Sequence, residues 1–259
     1  MATSASSPAL EVEGLGVSYG ALVALDGLDW QVGPGEILGI IGPNGAGKSS
    51  CYDAITHLVR RRGRVRLAGE DVTEVSADKL AARGLKRAFQ QNAFFNDLTV
   101  AANMRTVLQD SYGTGLAAAI FAPWREASRR HRAEAAARGL LLRFGIPEEA
   151  HALRPTDIPY GSQRMLSIAL AYGSGAKVLL LDEPAAGLGG ADMARLIALL
   201  RELKAEGIAL VVIEHHMDLI MSVADRIVVL DRGRQIATGT PRDIQADARV
   251  LEAYLGRSA

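Results

Sequence analysis

The sequence predicts an α/β fold: a mostly parallel, covered sheet, a small antiparallel β region ahead of it, and a helical block inserted in its middle. Three observations carry that expectation. Short apolar runs alternate with helical patterns after residue 177. A glycine-rich octapeptide sits between a strand-like and a helix-like segment. Residues 92–174 replace the alternation with helical patterns.

The elements follow in order. Residues 1–9 are rich in Ala and Ser, carry Pro8, and lack the basic start and apolar run of a secretory leader, so they read as a disordered tail. Residues 10–19 and 28–32 are strand-like and are joined through Gly20 and an Asp26-Gly27 turn signal. After the Gly33-Pro34-Gly35 turn, residues 36–41 form a short strand, apolar after its first position, as in a sheet buried on both faces. A helix is expected over 49–58, and the arginine-rich run 60–66 reads as a solvated turn between helix and strand. Helices are expected over 99–109, 125–144 and 162–171. Strands at 178–181, 208–213 and 226–230 then alternate with helices at 191–205 and 217–223.

Bulk properties remove several classes. The 259 residues are 49% hydrophobic, enough for a sizeable core. Lysine plus arginine equals aspartate plus glutamate at 29 each, so the chain lacks the positive field of a general nucleic-acid binder. Cys51 is the single cysteine, which excludes an internal disulfide and suits a reducing compartment. The apolar runs at 116–122 and 208–213 fall far short of the roughly 20 residues that span a bilayer. Membrane association is therefore expected through a partner.

The octapeptide Gly42-Pro43-Asn44-Gly45-Ala46-Gly47-Lys48-Ser49 fits the phosphate-binding P-loop pattern, Walker A, with Ser50 following. Glycines let the backbone curl its N–H groups toward phosphates, and the helix that follows adds its positive end. Lys48 supplies a full charge, and the Ser49 hydroxyl is a candidate Mg2+ ligand. A second element, Walker B, complements it: the apolar run 178–181 ends in Asp182-Glu183. A carboxylate at the end of such a strand lies at the sheet edge where the loop also lies. Asp182 suits Mg2+, and Glu183, pointing differently, suits polarisation of an attacking water. ATP with Mg2+ is the expected ligand pair.

Further segments then fall into an order that resembles the ABC ATPase family over residues 10–256. The resemblance implies a P-loop NTPase (RecA-like) core at 10–259 that holds the helical subdomain of about 92–174. It implies an adenine-stacking role for Tyr19, with a core or edge tyrosine as the alternative. Gln90 matches the glutamine that contacts Mg2+ and water, with Gln91 as the alternative register. His215 matches the switch histidine at the γ-phosphate, with His216 beside it. Tyr160, Gly161 and Ser162, preceding Gln163-Arg164, resemble the signature segment that covers a partner's nucleotide. This chain departs from the common Leu-Ser-Gly-Gly-Gln: Pro159 brings no hydroxyl, which leaves the Gly161 N–H and a helix N-terminus for the anion. Gly189 stands where the family has an aspartate after Walker B.

The departures themselves resemble one branch of importers, those for branched-chain amino acids and related small polar solutes such as amides or urea. Glu183-Pro184-Ala185-Ala186-Gly187-Leu188 and the ending Ala253-Tyr254-Leu255-Gly256 carry that likeness. The branch implies a second ATPase subunit paired head to tail, two transmembrane permease subunits, an extracytoplasmic solute-binding protein, and residence on the cytoplasmic face of a bacterial inner membrane. Nucleic acid is not expected as a partner. Residues 115–124, with Phe121 and Trp124, are the expected permease contact or, equally, packing within the insertion. The rival classes are a soluble ABC ATPase of repair or translation and a small-molecule P-loop kinase. The first is disfavoured by one module and no heptad run, the second by the segments at 160–164 and 213–215.

Overall fold

A computed structural model describes residues 7–88, 94–112 and 123–255, with side chains outside 109–130 and 255. The chain forms two compact units: residues up to Gln90, Ala176–Ala186 and from Leu196 onward in one, and Gln91–Gly175 with Gly187–Arg195 in the other.

The first unit holds both sheets. A six-stranded sheet has the order β10-β9-β3-β8-β7-β6, in which β3 (Ile37–Ile41), β6 (Leu85–Ala88), β7 (Val178–Asp182), β8 (Ala209–Ile213) and β9 (Arg226–Asp231) run parallel. β10 (Arg234–Gly239) pairs antiparallel at the edge. Every residue of β3, β7 and β8 is buried, which is why these strands read as continuous apolar runs instead of alternating ones. All parallel strands deliver their C-terminal ends to one edge, where α1 (Lys48–Ile55) begins.

A second, antiparallel sheet has the order β2-β1-β4-β5, with β1 (Leu10–Tyr19), β2 (Leu22–Val32), β4 (Arg62–Leu67) and β5 (Glu70–Asp71). Two expectations are corrected here. Asp26-Gly27 does not turn the chain; it lies inside a continuous β2. Leu25 pairs with Val17 and Leu28 with Leu15, so β2 carries one extra residue at this point, a bulge with Gly27 at φ 72°. The bulge bends β2 so that the Asp26 N–H reaches the Gly233 carbonyl at 2.8 Å. The tail is also shorter than composition implied: the Ala9 N–H donates to Val32 O at 2.8 Å and its carbonyl accepts from Ala68.

From Arg62 onward the arginine run is strand β4 and not a turn, and arginines within it have partners. Arg64 and Arg66 pair across the sheet with Glu13 (3.3 and 2.7 Å), and Arg66 also reaches Glu11. Arg61 turns inward and donates to the carbonyls of Ala54 and Ile55, the last turn of α1, and to Thr73 O at 2.5 Å. A cation on the last carbonyls of a helix adds to their capping and meets the negative end of the helix dipole.

The second unit is helical: α3 (Val100–Tyr112), α4 (Pro123–Arg143) and α5 (Tyr160–Gly173), with α2 (Ala77–Ala82) belonging to the first unit. Buried Asn103 accepts from the Phe95 N–H at 2.9 Å and donates to the carbonyls of Phe95 and Thr99 at 3.1 and 3.0 Å, which fixes the loop ahead of α3. The Cα path then continues through α6 (Gly190–Ala205), α7 (Met217–Val223), α8 (Pro241–Ala246) and α9 (Ala248–Leu255). Among the described residues no helix is long and apolar enough to cross a membrane.

Cys51 lies on the buried face of α1, and burial pushes its thiol up to about 12. At pH 8 the thiolate is scarce and shielded. The folded protein should therefore resist iodoacetamide, with one equivalent labelled rapidly once denaturant is added; mass spectrometry of the timed reaction reads both.

Candidate active site

β3 ends at Ile41 and α1 starts at Lys48, so six residues must turn the chain at the sheet edge. Gly42 passes so near β9 that a Cβ would stand 2.1 Å from the Leu230 carbonyl oxygen. Gly47 caps α1 at φ 101°, where a Cβ would meet Ala24 O at 2.7 Å. No side chain fits at either position. The curl of Pro43, Asn44, Gly45 and Ala46 between them is set by the loop's neighbours as well as by its own sequence: the Gly233 N–H donates to Ala46 O at 3.0 Å.

Lys48 is 8% exposed, and its Nζ donates to Gly42 O at 2.6 Å and Pro43 O at 3.1 Å. Burial pulls its pKa down, while Glu183 and Asp182 push it back up. The loop forms one wall of a cleft of about 540 Å³, which Tyr19, Leu22 and Val23 of the β1–β2 hairpin, Ser49, Ser50, Glu183 and Arg232 also line. Tyr19, Leu22 and Val23 are 46, 66 and 50% exposed, an apolar lip beside a polar floor. That combination suits a planar base attached to phosphates. Arg232, in the β9–β10 turn, adds a cation that the sequence reading did not single out.

Asp182 closes β7 and is 6% exposed. Its Oδ2 accepts from Arg87 Nη2 at 2.9 Å, and Arg87 Nη1 donates to Asp53 Oδ1 of α1 at 2.6 Å. The guanidinium carbon lies 5.4 Å from the Tyr52 ring centre, and the Tyr52 hydroxyl bonds to the carbonyls of Leu181 (3.1 Å) and Val211 (2.5 Å). Burial raises the pKa of Asp182; the Arg87 hydrogen bond and charge oppose that rise. Arg87 and Asp53 were not legible as site residues, because β6 is only four residues long and carries charge at Lys86 and Arg87.

Glu183 follows in the left-handed region at φ 46°, a conformation that costs about 1–3 kcal/mol in a non-glycine residue and persists where the surroundings enforce it. Its N–H donates to Ile213 O at 2.9 Å. His215 Nδ1 lies 3.6 Å from Glu183 Oε1, and the His215 and His216 rings stand 4.4 Å apart. The structure thus gathers Tyr19, residues 42–50, Asp182, Glu183 and His215 within the first unit. Gln90 and Gln91 lie outside the described residues.

Tyr160, Gly161 and Ser162 are described within the second unit, at the first turn of α5. Pro159 is the N-cap and brings no capping hydrogen bond. The ring of Tyr160, 46% exposed, lies 5.5 Å from the Arg164 guanidinium. Gly189 has no carboxylate, but Asp192, three residues on, packs on Gly161 with Oδ2 2.5 Å from where a Cβ would stand. The sequence reading missed Asp192, which stands one turn beyond the position where the acid was sought.

For Mg2+ the donor set fits: the exposed hydroxyl of Ser49 borders the cleft, and Asp182, at the end of β7, is a hard-oxygen carboxylate. A glycine-cradled loop at a helix N-terminus, a lysine, and two acids at the next-but-one strand end define a P-loop nucleotide hydrolase. Comparison with known proteins narrows the class. Residues 25–186 match the family described as ABC transporter, and residues 234–259 match one described as branched-chain amino acid ATP-binding cassette transporter. The chain is 36% identical over 256 residues to the high-affinity branched-chain amino acid transport ATP-binding protein BraF of Pseudomonas aeruginosa, covering 98% of this chain and 100% of that one. The corresponding protein LivG of Escherichia coli K12 is 34% identical over 257 residues, with the same coverage. A crystal structure of a nucleotide-free ATP-binding cassette from an ABC transporter superposes with TM-score 0.80 at 26% identity, covering 95% of this chain and 98% of that one. The ADP conformation of the cassette MJ1267 gives 0.79 at 25%, covering 96% and 99%. The chain belongs to the ABC transporter ATP-binding family, and it is an ATPase subunit.

Arg87→Met tests the charge stitching behind Walker B. Removing one partner of a buried pair costs about 3–5 kcal/mol. The sign with pH follows from Asp182: Arg87 favours its charged form, so the lost stability is largest where Asp182 is ionised and shrinks as Asp182 protonates on acidification, a step that burial moves above the ordinary aspartate range. Urea unfolding of both proteins between pH 4 and 8 measures it.

Proposed function

We propose that this chain powers an importer of branched-chain amino acids or related small solutes such as amides or urea. The observation that carries the solute class is the match of residues 234–259, the segment beyond the shared ATPase core, to the branched-chain amino acid cassette family. The names of the two relatives cited above support the same reading.

In this reading Tyr19 stacks on adenine, and backbone N–H groups of residues 44–50 hold the phosphates. The Lys48 ammonium leaves the carbonyls of Gly42 and Pro43 for phosphate oxygens. Ser49 and Asp182, with Gln90, hold Mg2+, which neutralises charge on the β- and γ-phosphates. Glu183 accepts the proton of the attacking water at its carboxylate, and His215 braces Glu183 and the γ-phosphate. The partner ATPase subunit, self or paralogue, contributes its Gly161-type helix N-terminus head to tail. ATP bound between two such subunits draws them together because it binds the closed pair better than the open one.

The permease subunits, reached on the cytoplasmic face of the inner membrane, require an apolar surface. Of the expected contact at 115–124, residues 115–122 lie outside the described residues, as does the side chain of Trp124. The surface we assign instead is formed by Phe95, Leu98 and Leu153, which are 59, 37 and 43% exposed. Backbone hydrogen bonds join them: Leu98 N–H to Phe95 O at 3.0 Å and Val100 N–H to Leu153 O at 2.9 Å. An extracytoplasmic binding protein delivers solute on the opposite side.

Glu183→Gln should retain ATP binding and lower single-turnover hydrolysis by ~10²–10⁴-fold, the range a general base supplies. Near-normal hydrolysis removes Glu183 from that role. Phe95→Glu should leave the melting temperature unchanged and abolish co-purification with the permease from membranes; co-purification at wild-type yield moves the docking surface elsewhere.

A further inference from the structure

Glu214 is fully buried, yet it is an acid placed between an apolar strand and the switch histidine. Its carboxylate accepts three backbone N–H groups from two segments. Oε1 accepts the Ala185 N–H at 2.8 Å, 29 residues back along the chain. Oε2 accepts the N–H groups of His215 at 2.8 Å and His216 at 3.0 Å. The same two segments are joined once more by the Glu183 N–H on Ile213 O at 2.9 Å, and the Ala186 N–H closes a turn on Glu183 O at 3.1 Å. Glu183, at φ 46°, thus stands between two anchor points that both lead to residues 213–214.

We propose that Glu214 is a positioning residue: it locks the backbone after Glu183 to the backbone of His215, so that the 3.6 Å approach of the two side chains is held as one rigid pair. The inference deepens the reading of Glu183 as the general base and rests on it. A carboxylate is the side chain this place requires. Three N–H groups from two directions converge on two oxygens, and an ionised acid offers acceptors on both. A glutamine of the same shape presents one oxygen and one NH2, so it sets donor against donor at one end. Glu214 touches no substrate atom in this scheme; its effect runs through the placement of Glu183 and His215.

Glu214→Gln, Glu214→Asp and Glu183→Gln are compared with the wild-type chain by melting, by binding of a fluorescent ATP analogue, and by single-turnover hydrolysis. Positioning predicts a split: Glu214→Gln binds the analogue within about threefold of wild type but hydrolyses ~100-fold more slowly, the scale of a 1 Å misplacement. Glu214→Asp keeps the charge and recovers part of that loss. Hydrolysis by Glu214→Gln close to wild type, with Glu183→Gln inactive, overturns the positioning role. Parallel loss of binding, hydrolysis and melting temperature also overturns it, in favour of a purely structural acid. Should Glu214→Gln fail to fold, Glu214→Asp decides, and its full activity refutes the proposal. Normal hydrolysis by Glu183→Gln instead removes the general-base reading on which it rests.

Discussion

The site depends on how closely three backbone segments pass one another at the end of the parallel sheet. The loop at Gly42 lies against the Leu230 carbonyl of β9, and Gly47 lies against Ala24 of β2. The β9–β10 turn binds both neighbours through Gly233, whose N–H meets Ala46 O and whose carbonyl meets Asp26. A β-carbon at position 42 has nowhere to go, so the loop's curl is imposed by steric exclusion from outside as much as by local preference. Because β2 belongs to the antiparallel sheet and β9 to the parallel one, this contact also sets Tyr19 and its apolar neighbours over the phosphate loop. The surfaces proposed for base and for phosphate are thereby fixed by one packing event.

Charge is arranged around that frame in alternating layers. Lys48 faces Asp182 and Glu183, Asp182 is backed by Arg87, and Arg87 is backed by Asp53 on the same helix that carries Lys48. Lys48, Asp182 and Arg87 each have an opposite charge beside them, a condition under which ionised groups survive away from water. Tyr52 ties the layer to the sheet through its bonds to the Leu181 and Val211 carbonyls. Its hydroxyl is itself held protonated, since burial drives its pKa well above the ordinary tyrosine range.

Much of this was legible in the sequence where function demands contiguous residues. Residues 42–50 and the pair Asp182-Glu183 are each built on one turn, so their chemistry is written locally, and fully buried strands such as β7 and β8 betray themselves as apolar runs. What escaped is long-range. Arg87 acts on residues 34 and 95 positions away, and Asp192 packs on Gly161 from another helix. β4 and β6 were hidden because the partners of their charged residues lie on distant segments: Glu13 for Arg64 and Arg66, Asp182 and Asp53 for Arg87. The Asp26-Gly27 pair misled for a physical reason: a left-handed glycine serves a bulge as readily as a hairpin, and only the register of β1 tells them apart.

The twofold bond of Lys48 to the carbonyls of Gly42 and Pro43 bears on the release side of the cycle. If Lys48 binds phosphate as proposed, an incoming phosphate does not find a bare ammonium; it exchanges two neutral acceptors for charged ones, and the net gain is a difference between the two sets. When phosphate leaves, the same carbonyls would be there to take the ammonium back, so no buried cation would be stranded. On the proposed reading, the nucleotide would be bound less tightly than its contacts alone imply, and departure of the product would carry a smaller penalty.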